Sequence, residues 1–157
     1  MLVVVNTSPL IALDRIGKLE LLREMYGTIL RPQSVLDELN AGRKSHDLCT
    51  VLQNADWIIT RSDPPERAFR KELGAGETAV IALAITVHAD LVVLDDLQAR
   101  LVAVGLGLSL TGNLGVLLAA HRIGLLPDIR EAVRQLQESG FRLSAALVDK
   151  LQASQPS

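Results

Sequence analysis

Four consecutive aliphatic residues, Leu91-Val92-Val93-Leu94, stop at two adjacent carboxylates, Asp95 and Asp96. A short apolar run without alternation, bounded by polar residues, is the pattern of a strand buried on both faces, as in a parallel sheet. In open parallel sheets, ligands collect in the crevice beyond the carboxyl ends of the strands. Asp95 and Asp96 stand at that end. Successive side chains on extended backbone point opposite ways, so one of the two is expected to face the crevice fully unless the chain turns there. The competing role for either is to cap the helix expected over Leu97 to Gly107, since aspartate is a favoured N-cap.

The rest of the chain alternates in the same way. Leu2 to Val5 reads as a first strand, ending at Asn6-Thr7-Ser8-Pro9. Proline is tolerated in a first helical turn, and Ser8 before it is expected to cap a helix through Leu13. Asn6 then lies where strand becomes helix, the topological place of Asp95 and Asp96. Its ordinary role would be to bond its own turn backbone. Leu19 to Met25 carry a helical stripe that ends at Gly27, and Thr28 to Leu30 form a short strand. Pro32-Gln33-Ser34 opens a helix with Val35, Leu36 and Leu39 inward, and Glu38 lies between its apolar contacts. A solvated Glu38 is the plain alternative. Leu48, Val51 and Leu52 mark a further helix, and Trp57 to Thr60 a strand. Arg67, Arg70 and Lys71 follow at helical spacing and read as a solvated face rather than phosphate contacts.

Glu77 lies in the first turn of a helix that runs through Val80, Ile81, Leu83, Ala84 and Val87. That helix is apolar on nearly all sides, so it is expected at the buried centre. The helix dipole favours a negative side chain in the first turn. Yet a glutamate heading so apolar a helix is poorly placed for full solvation, and a buried carboxylate requires a partner or a metal. Gly74-Ala75-Gly76 is not a dinucleotide fingerprint, because no strong strand leads into it and the third glycine is missing. Leu108 to Thr111 is a last short strand, and Gly112 starts an apolar helix. Two amphipathic helices, Ile129 to Glu138 and Leu143 to Leu151, lead to a tail expected to fray. Alternation of this kind predicts an α/β fold, a three-layer α/β/α sandwich around a mostly parallel sheet.

The chain's 157 residues suffice for a single domain, 1–157, with a sizeable core. Its aromatic content of 3% against 48% hydrophobic residues makes that core aliphatic and argues against a base-stacking platform. A net charge of −2 advertises no basic nucleic-acid surface. Cys49 is the only cysteine, so neither a disulfide framework nor a cysteine metal site can form within one chain. No apolar run reaches the ~18 residues of a membrane span. The opening residues lack the basic lead of a signal peptide, and the cytoplasm is the expected compartment.

Asn6, Glu77, Asp95 and Asp96 all fall at strand ends or helix starts, and Glu38 could join them. Carboxylates gathered this closely repel unless a cation joins them. Oxygen-only ligands select a hard ion, Mg²⁺ or Mn²⁺. Such an ion supports phosphodiester hydrolysis. A non-catalytic interaction protein and a nucleotide-binding α/β domain are the competing readings, the latter favoured only by scattered glycines.

Several segments resemble PIN domains. Val3-Val4-Val5-Asn6-Thr7-Ser8-Pro9-Leu10-Ile11 is similar to their opening, and Pro32-Gln33-Ser34-Val35-Leu36-Asp37-Glu38-Leu39 to their second acidic segment. Gly76 to Ala84 resembles the acidic central helix, and Leu91 to Asp96 the fourth acidic strand. Thr111 to Leu117 is similar to the closing segment of a prokaryotic PIN-like branch. The likeness covers residues 1 to about 125, which leaves about 126–157 as a C-terminal helical extension. It implies a divalent-metal ribonuclease, often the toxin of a VapC-type toxin–antitoxin pair. It also implies a homodimer, with a small antitoxin as partner and RNA as substrate. Carried over, Asn6 takes the place of the first acid, Glu38 the second and Glu77 the third. Asp96 fits the fourth best, with Asp95 close behind, and Ser8 matches the hydroxyl that positions the site. The departure is Asn6: an amide oxygen can ligate Mg²⁺ but brings no charge, so metal affinity should fall.

Overall fold

The computed structural model describes residues 1–41, 55–64 and 73–141. Five strands form one sheet: β1 (Val3–Val5), β2 (Ile29–Pro32), β3 (Ile58–Arg61), β4 (Leu91–Val93) and β5 (Leu110–Thr111). Their order is β3-β2-β1-β4-β5, and every pair is parallel. Parallel neighbours cannot be joined by tight turns, so helical crossovers must cover the sheet. Val3, Val4 and Val5 of the central strand are wholly buried, as a strand covered on both faces must be. From β1 the chain first builds outward through β2 to β3, then returns to add β4 on the opposite side. The strand order therefore reverses between β1 and β4, whose register aligns Val5 with Val93. Ligands of open α/β sheets bind beyond the strand ends at such a reversal.

Seven helices cover the described sheet: α1 (Thr7–Arg15), α2 (Glu20–Tyr26), α3 (Gln33–Ala41), α4 (Ala75–Thr86), α5 (Leu97–Gly105), α6 (Asn113–Arg122) and α7 (Ile129–Glu138). Helices α1, α2, α6 and α7 pack among themselves, and α4 packs on both α3 and α5. These are the two helical layers of the expected sandwich. Helix α4 is buried from Ala79 through Ala84, along every side of its middle turns. This explains its lack of a polar face. Helix α7 buries Ile129, Ala132, Val133 and Leu136 and turns Arg134, paired with Glu131 and Glu138, to solvent.

Local boundaries depart from the sequence reading in places. Helix α1 begins at Thr7, and Asn6, extended at φ −84° and ψ 171°, holds the cap position without a side-chain cap bond. Ser8 is thus an exposed first-turn residue and not the cap. Trp57 is buried just ahead of β3 rather than within it. The N-terminus of α3 is capped from a distance: the Asp63 carboxylate accepts from the Ser34 N–H at 3.1 Å and from its hydroxyl. The expected helices at Leu48–Leu52 and Leu143–Leu151, the Arg67-Arg70-Lys71 face and Cys49 lie outside the described residues. Among the described residues, no helix is long and apolar enough to cross a membrane.

Candidate active site

The carboxyl end of the sheet is where strands hand over to helices, and Asn6, Asp95 and Asp96 stand at such junctions. The Asn6 N–H donates to the Val93 carbonyl at 3.1 Å, extending the β1–β4 pairing by one residue. Its side chain is only 3% exposed, and its Oδ1 has no partner. A buried acceptor left unpaired costs about 1–3 kcal/mol, so this oxygen is suited to a donor or a cation.

Glu38 projects from α3 toward the head of α4. Its Oε2 accepts from the Thr7 hydroxyl at 2.8 Å, which ties α3 to the start of α1. Its carboxylate also lies directly over Gly76, where any Cβ would collide with it. Glycine at 76 therefore makes room for the acid. One residue on, half-buried Glu77 curls back over Gly74 in the same manner. Glu38 and Glu77 thus share the N-terminal turn of α4, whose dipole favours negative charge.

The two aspartates after β4 diverge, as alternation on extended backbone requires. Asp96 is exposed and caps α5, its Oδ2 accepting from the Ala99 N–H at 2.9 Å. Its second carboxylate oxygen is left for another partner. Asp95 turns inward, its Oδ1 accepting from the Asn113 N–H at 3.0 Å. Its Oδ2 is buried without a partner. Burial pushes the Asp95 carboxyl above the ordinary aspartate range, against the opposing pull of the Asn113 N–H and the Arg100 charge. Asn113 itself is wholly buried, and neither atom of its amide is paired.

Glu38 thus reaches both Thr7 and the head of α4 that carries Glu77, Asn6 and Asp96 follow the ends of β1 and β4, and Asp95 faces the β5–α6 junction. Among the described residues, no three acidic, histidine or cysteine side chains come close enough to hold one ion together. The donors present, carboxylates and a buried amide oxygen, are of the hard-oxygen kind that suits Mg²⁺ or Mn²⁺. Thr7, rather than Ser8, supplies the hydroxyl that touches an acid. Nothing in the local sequence distinguishes the two, because the choice depends on where α1 starts. His121 spends Nδ1 on the Leu126 carbonyl at 2.7 Å, and His88 is exposed.

The burial of Asp95 has a pH signature in metal-free buffer. The folded protein holds this proton more tightly than the unfolded chain. Stability from Asp95 is therefore fully present below the ordinary aspartate range and is lost as pH rises through the raised value. At neutral pH the buried charge is a net penalty. Asp95→Asn keeps an oxygen for the Asn113 N–H and removes the charge. Denaturant titrations should find Asp95→Asn more stable than the parent at neutral pH, with the gain vanishing in acid. A gain of equal size at both would contradict this account.

A family model described as the PIN domain (DUF3368) matches residues 2–155. The chain belongs to the PIN-domain family. No curated protein matches it. Among solved structures, it is similar to a PilT N-terminus domain protein from Sulfolobus solfataricus P2. That likeness has a TM-score of 0.54 at 15% identity and covers 76% of this chain and 93% of that one. It is also similar to VapBC2 from Rickettsia felis, solved bound to a DNA fragment from its promoter. Here the TM-score is 0.52 at 18% identity, covering 71% of this chain and 98% of that one. At such identities the likeness establishes the fold of this PIN domain, and the five-stranded parallel sheet between two helical layers agrees with it.

Proposed function

We propose that this PIN-domain protein is a divalent-metal-dependent endoribonuclease and the toxin of a toxin–antitoxin pair. The observation that carries the reading is that Glu38 meets both Thr7, just beyond β1, and the head of α4 that carries Glu77, beside the reversal of strand order in a PIN fold. With no three acids among the described residues close enough to ligate one ion directly, Glu38, Glu77 and Asp96 would supply the charge that attracts Mg²⁺ or Mn²⁺ in part through bound water, and the unpaired Asn6 Oδ1 a neutral oxygen. The bound ion would supply the Lewis acidity that phosphodiester hydrolysis requires. Thr7 holds Glu38 in place, and the α4 dipole stabilises the neighbouring Glu77. Asn6 stands where the family resemblance places an acid, so the site carries one charge fewer. The likeness to VapBC2 supports a small antitoxin as partner, and a cytoplasmic homodimer follows from the same family logic.

RNA cleavage by the purified protein tests this reading. Cleavage should appear with Mn²⁺ and vanish with chelator. A second reading, a non-catalytic interaction protein, is favoured by the missing charge at Asn6 and by the separation of the acids. It predicts no cleavage and an unchanged melting temperature when Mn²⁺ is added.

Gly76 offers a selective probe. Alanine is favoured over glycine in a helix by about 0.8–1 kcal/mol, and the obstacle is the flexible end of Glu38. Gly76→Ala should therefore keep or raise the metal-free melting temperature. By driving the Glu38 carboxylate off Thr7, it should also weaken the Mn²⁺-induced stabilisation. A normal Mn²⁺ response in Gly76→Ala would remove Glu38 from the site.

A further inference from the structure

The turn that carries Asp96 out of β4 is held from beneath by residues that the proposed chemistry does not use. Arg100 is the only charged residue of α5, and it turns back toward the sheet. Its Nη1 donates to the Leu94 carbonyl at 3.1 Å, and its own N–H donates to the Asp96 carbonyl at 2.9 Å. Leu94 is wholly buried, with its N–H committed to the Thr111 carbonyl at 2.9 Å. Its carbonyl is the next backbone acceptor on the way into the turn, and Arg100 is the donor it receives.

Gly112 packs against this arrangement from the β5–α6 junction. A Cβ there would collide with Asp95 Oδ1 and crowd Arg100 Nη1, so the carboxylate and the guanidinium share one small space. The next residue, Asn113, closes it by donating its N–H to Asp95. Leu94, Asp95 and Asp96 are thereby fixed in succession: by Arg100, by Asn113, and by the Ala99 N–H on the Asp96 carboxylate.

We propose that Arg100 is a positioning residue for Asp96: it locks the β4–α5 turn and so fixes where the Asp96 carboxylate points. The functional consequence rests on the reading of Asp96 as a metal ligand, whereas the positioning itself does not. Guanidinium suits the task because its planar fork can serve a carbonyl and a neighbouring carboxylate at once. Lysine offers a single ammonium on a more mobile stem, and methionine offers no donor.

The full chain with Arg100→Met, Arg100→Lys and, as reference, Asp96→Asn separates the possibilities in two measurements. The first is amide hydrogen exchange at Ala99, a first-turn N–H with no helical acceptor of its own, compared with Val92, whose N–H is bonded within the sheet to the Ser109 carbonyl. Arg100→Met should speed exchange at Ala99 relative to Val92, and Arg100→Lys should restore part of the protection. The second is the Mn²⁺ concentration that half-saturates the rise in melting temperature. Arg100→Met should raise it about 10-fold or more, the scale on which residues supporting metal ligands act. If Ala99 stays as protected as in the parent, the positioning role is overturned. If Ala99 loses protection but Mn²⁺ half-saturation does not move, Arg100 is merely structural and the proposal falls. If the parent itself shows no Mn²⁺ response, the nuclease reading fails, while exchange at Ala99 still decides whether Arg100 holds Asp96.

Discussion

Glu77→Gln is expected to abolish Mn²⁺-dependent RNA cleavage, with a loss of about 100-fold or more if Glu77 is a ligand rather than a support. Glutamine preserves the volume and one carbonyl oxygen, so the change isolates charge. Charge is what this site can least spare, because Asn6 contributes an uncharged oxygen where the family resemblance places an acid. In the proposed site only Glu38, Glu77 and Asp96 would balance a divalent ion, since Asp95 turns inward with one oxygen held by the Asn113 N–H. Stability should barely change, since a carboxylate in the first turn is worth only about 0.3–1 kcal/mol to the helix. Cleavage rate and metal-free melting temperature must therefore separate: the first collapses, the second holds. Glu20→Gln removes an exposed acid that pairs with Arg23 on α2 and should cleave normally. Asn6→Asp gives the reciprocal result. A carboxylate at so buried a position should lower the melting temperature in chelator and tighten Mn²⁺ binding. Wild-type cleavage by Glu77→Gln would remove this acid from the chemistry.

The parts of the fold that could be read from the chain are those in which one residue's environment is set by its neighbours in sequence. Val3-Val4-Val5 and Leu91-Val92-Val93 could only be strands buried on both faces, and they pair centrally. The featureless apolar surface of α4 announced its burial. The misplaced start of α1 has a physical reason. Pro9, read as marking the first helical position, is the third residue of the helix, where its missing N–H is still among the four that need no helical acceptor. Proline therefore fixes the start of a helix only to within a turn, and the difference decides whether Thr7 or Ser8 reaches Glu38. The division of labour between Asp95 and Asp96 was half legible. Alternation required them to diverge and capping gave one of them a role. The partner that draws Asp95 inward is Asn113, 18 residues away. Gly76 stood out in sequence only as part of a failed dinucleotide fingerprint, yet it leaves space for an acid from α3. Such contacts arise between elements, and no local pattern encodes them.

Ile81→Ala should be the most destabilising single truncation of α4, costing about 2–5 kcal/mol, the range for removing a large aliphatic side chain from a packed core. Ile81 is fully buried, in a helix packed against strands β1, β2 and β4 and against α3 and α5. A cavity there cannot close by moving one neighbour, because each wall is held by another element. Aliphatic cores also lack the large rings that could tilt to fill such a gap, and this chain has only 3% aromatic residues. The denaturant midpoint should fall with its slope unchanged, since the surface exposed on unfolding is nearly the same. Leu97→Ala provides the contrast. Leu97 opens α5 but is 67% exposed, so its truncation should stay within about 0.5 kcal/mol of the parent. Both residues are aliphatic and both lie on helices beside the candidate site, so hydrophobicity alone would rank them equally. An Ile81→Ala protein as stable as Leu97→Ala would mean that α4 is not the buried centre of the sandwich, and Glu77 at its head would lose the placement on which the site depends.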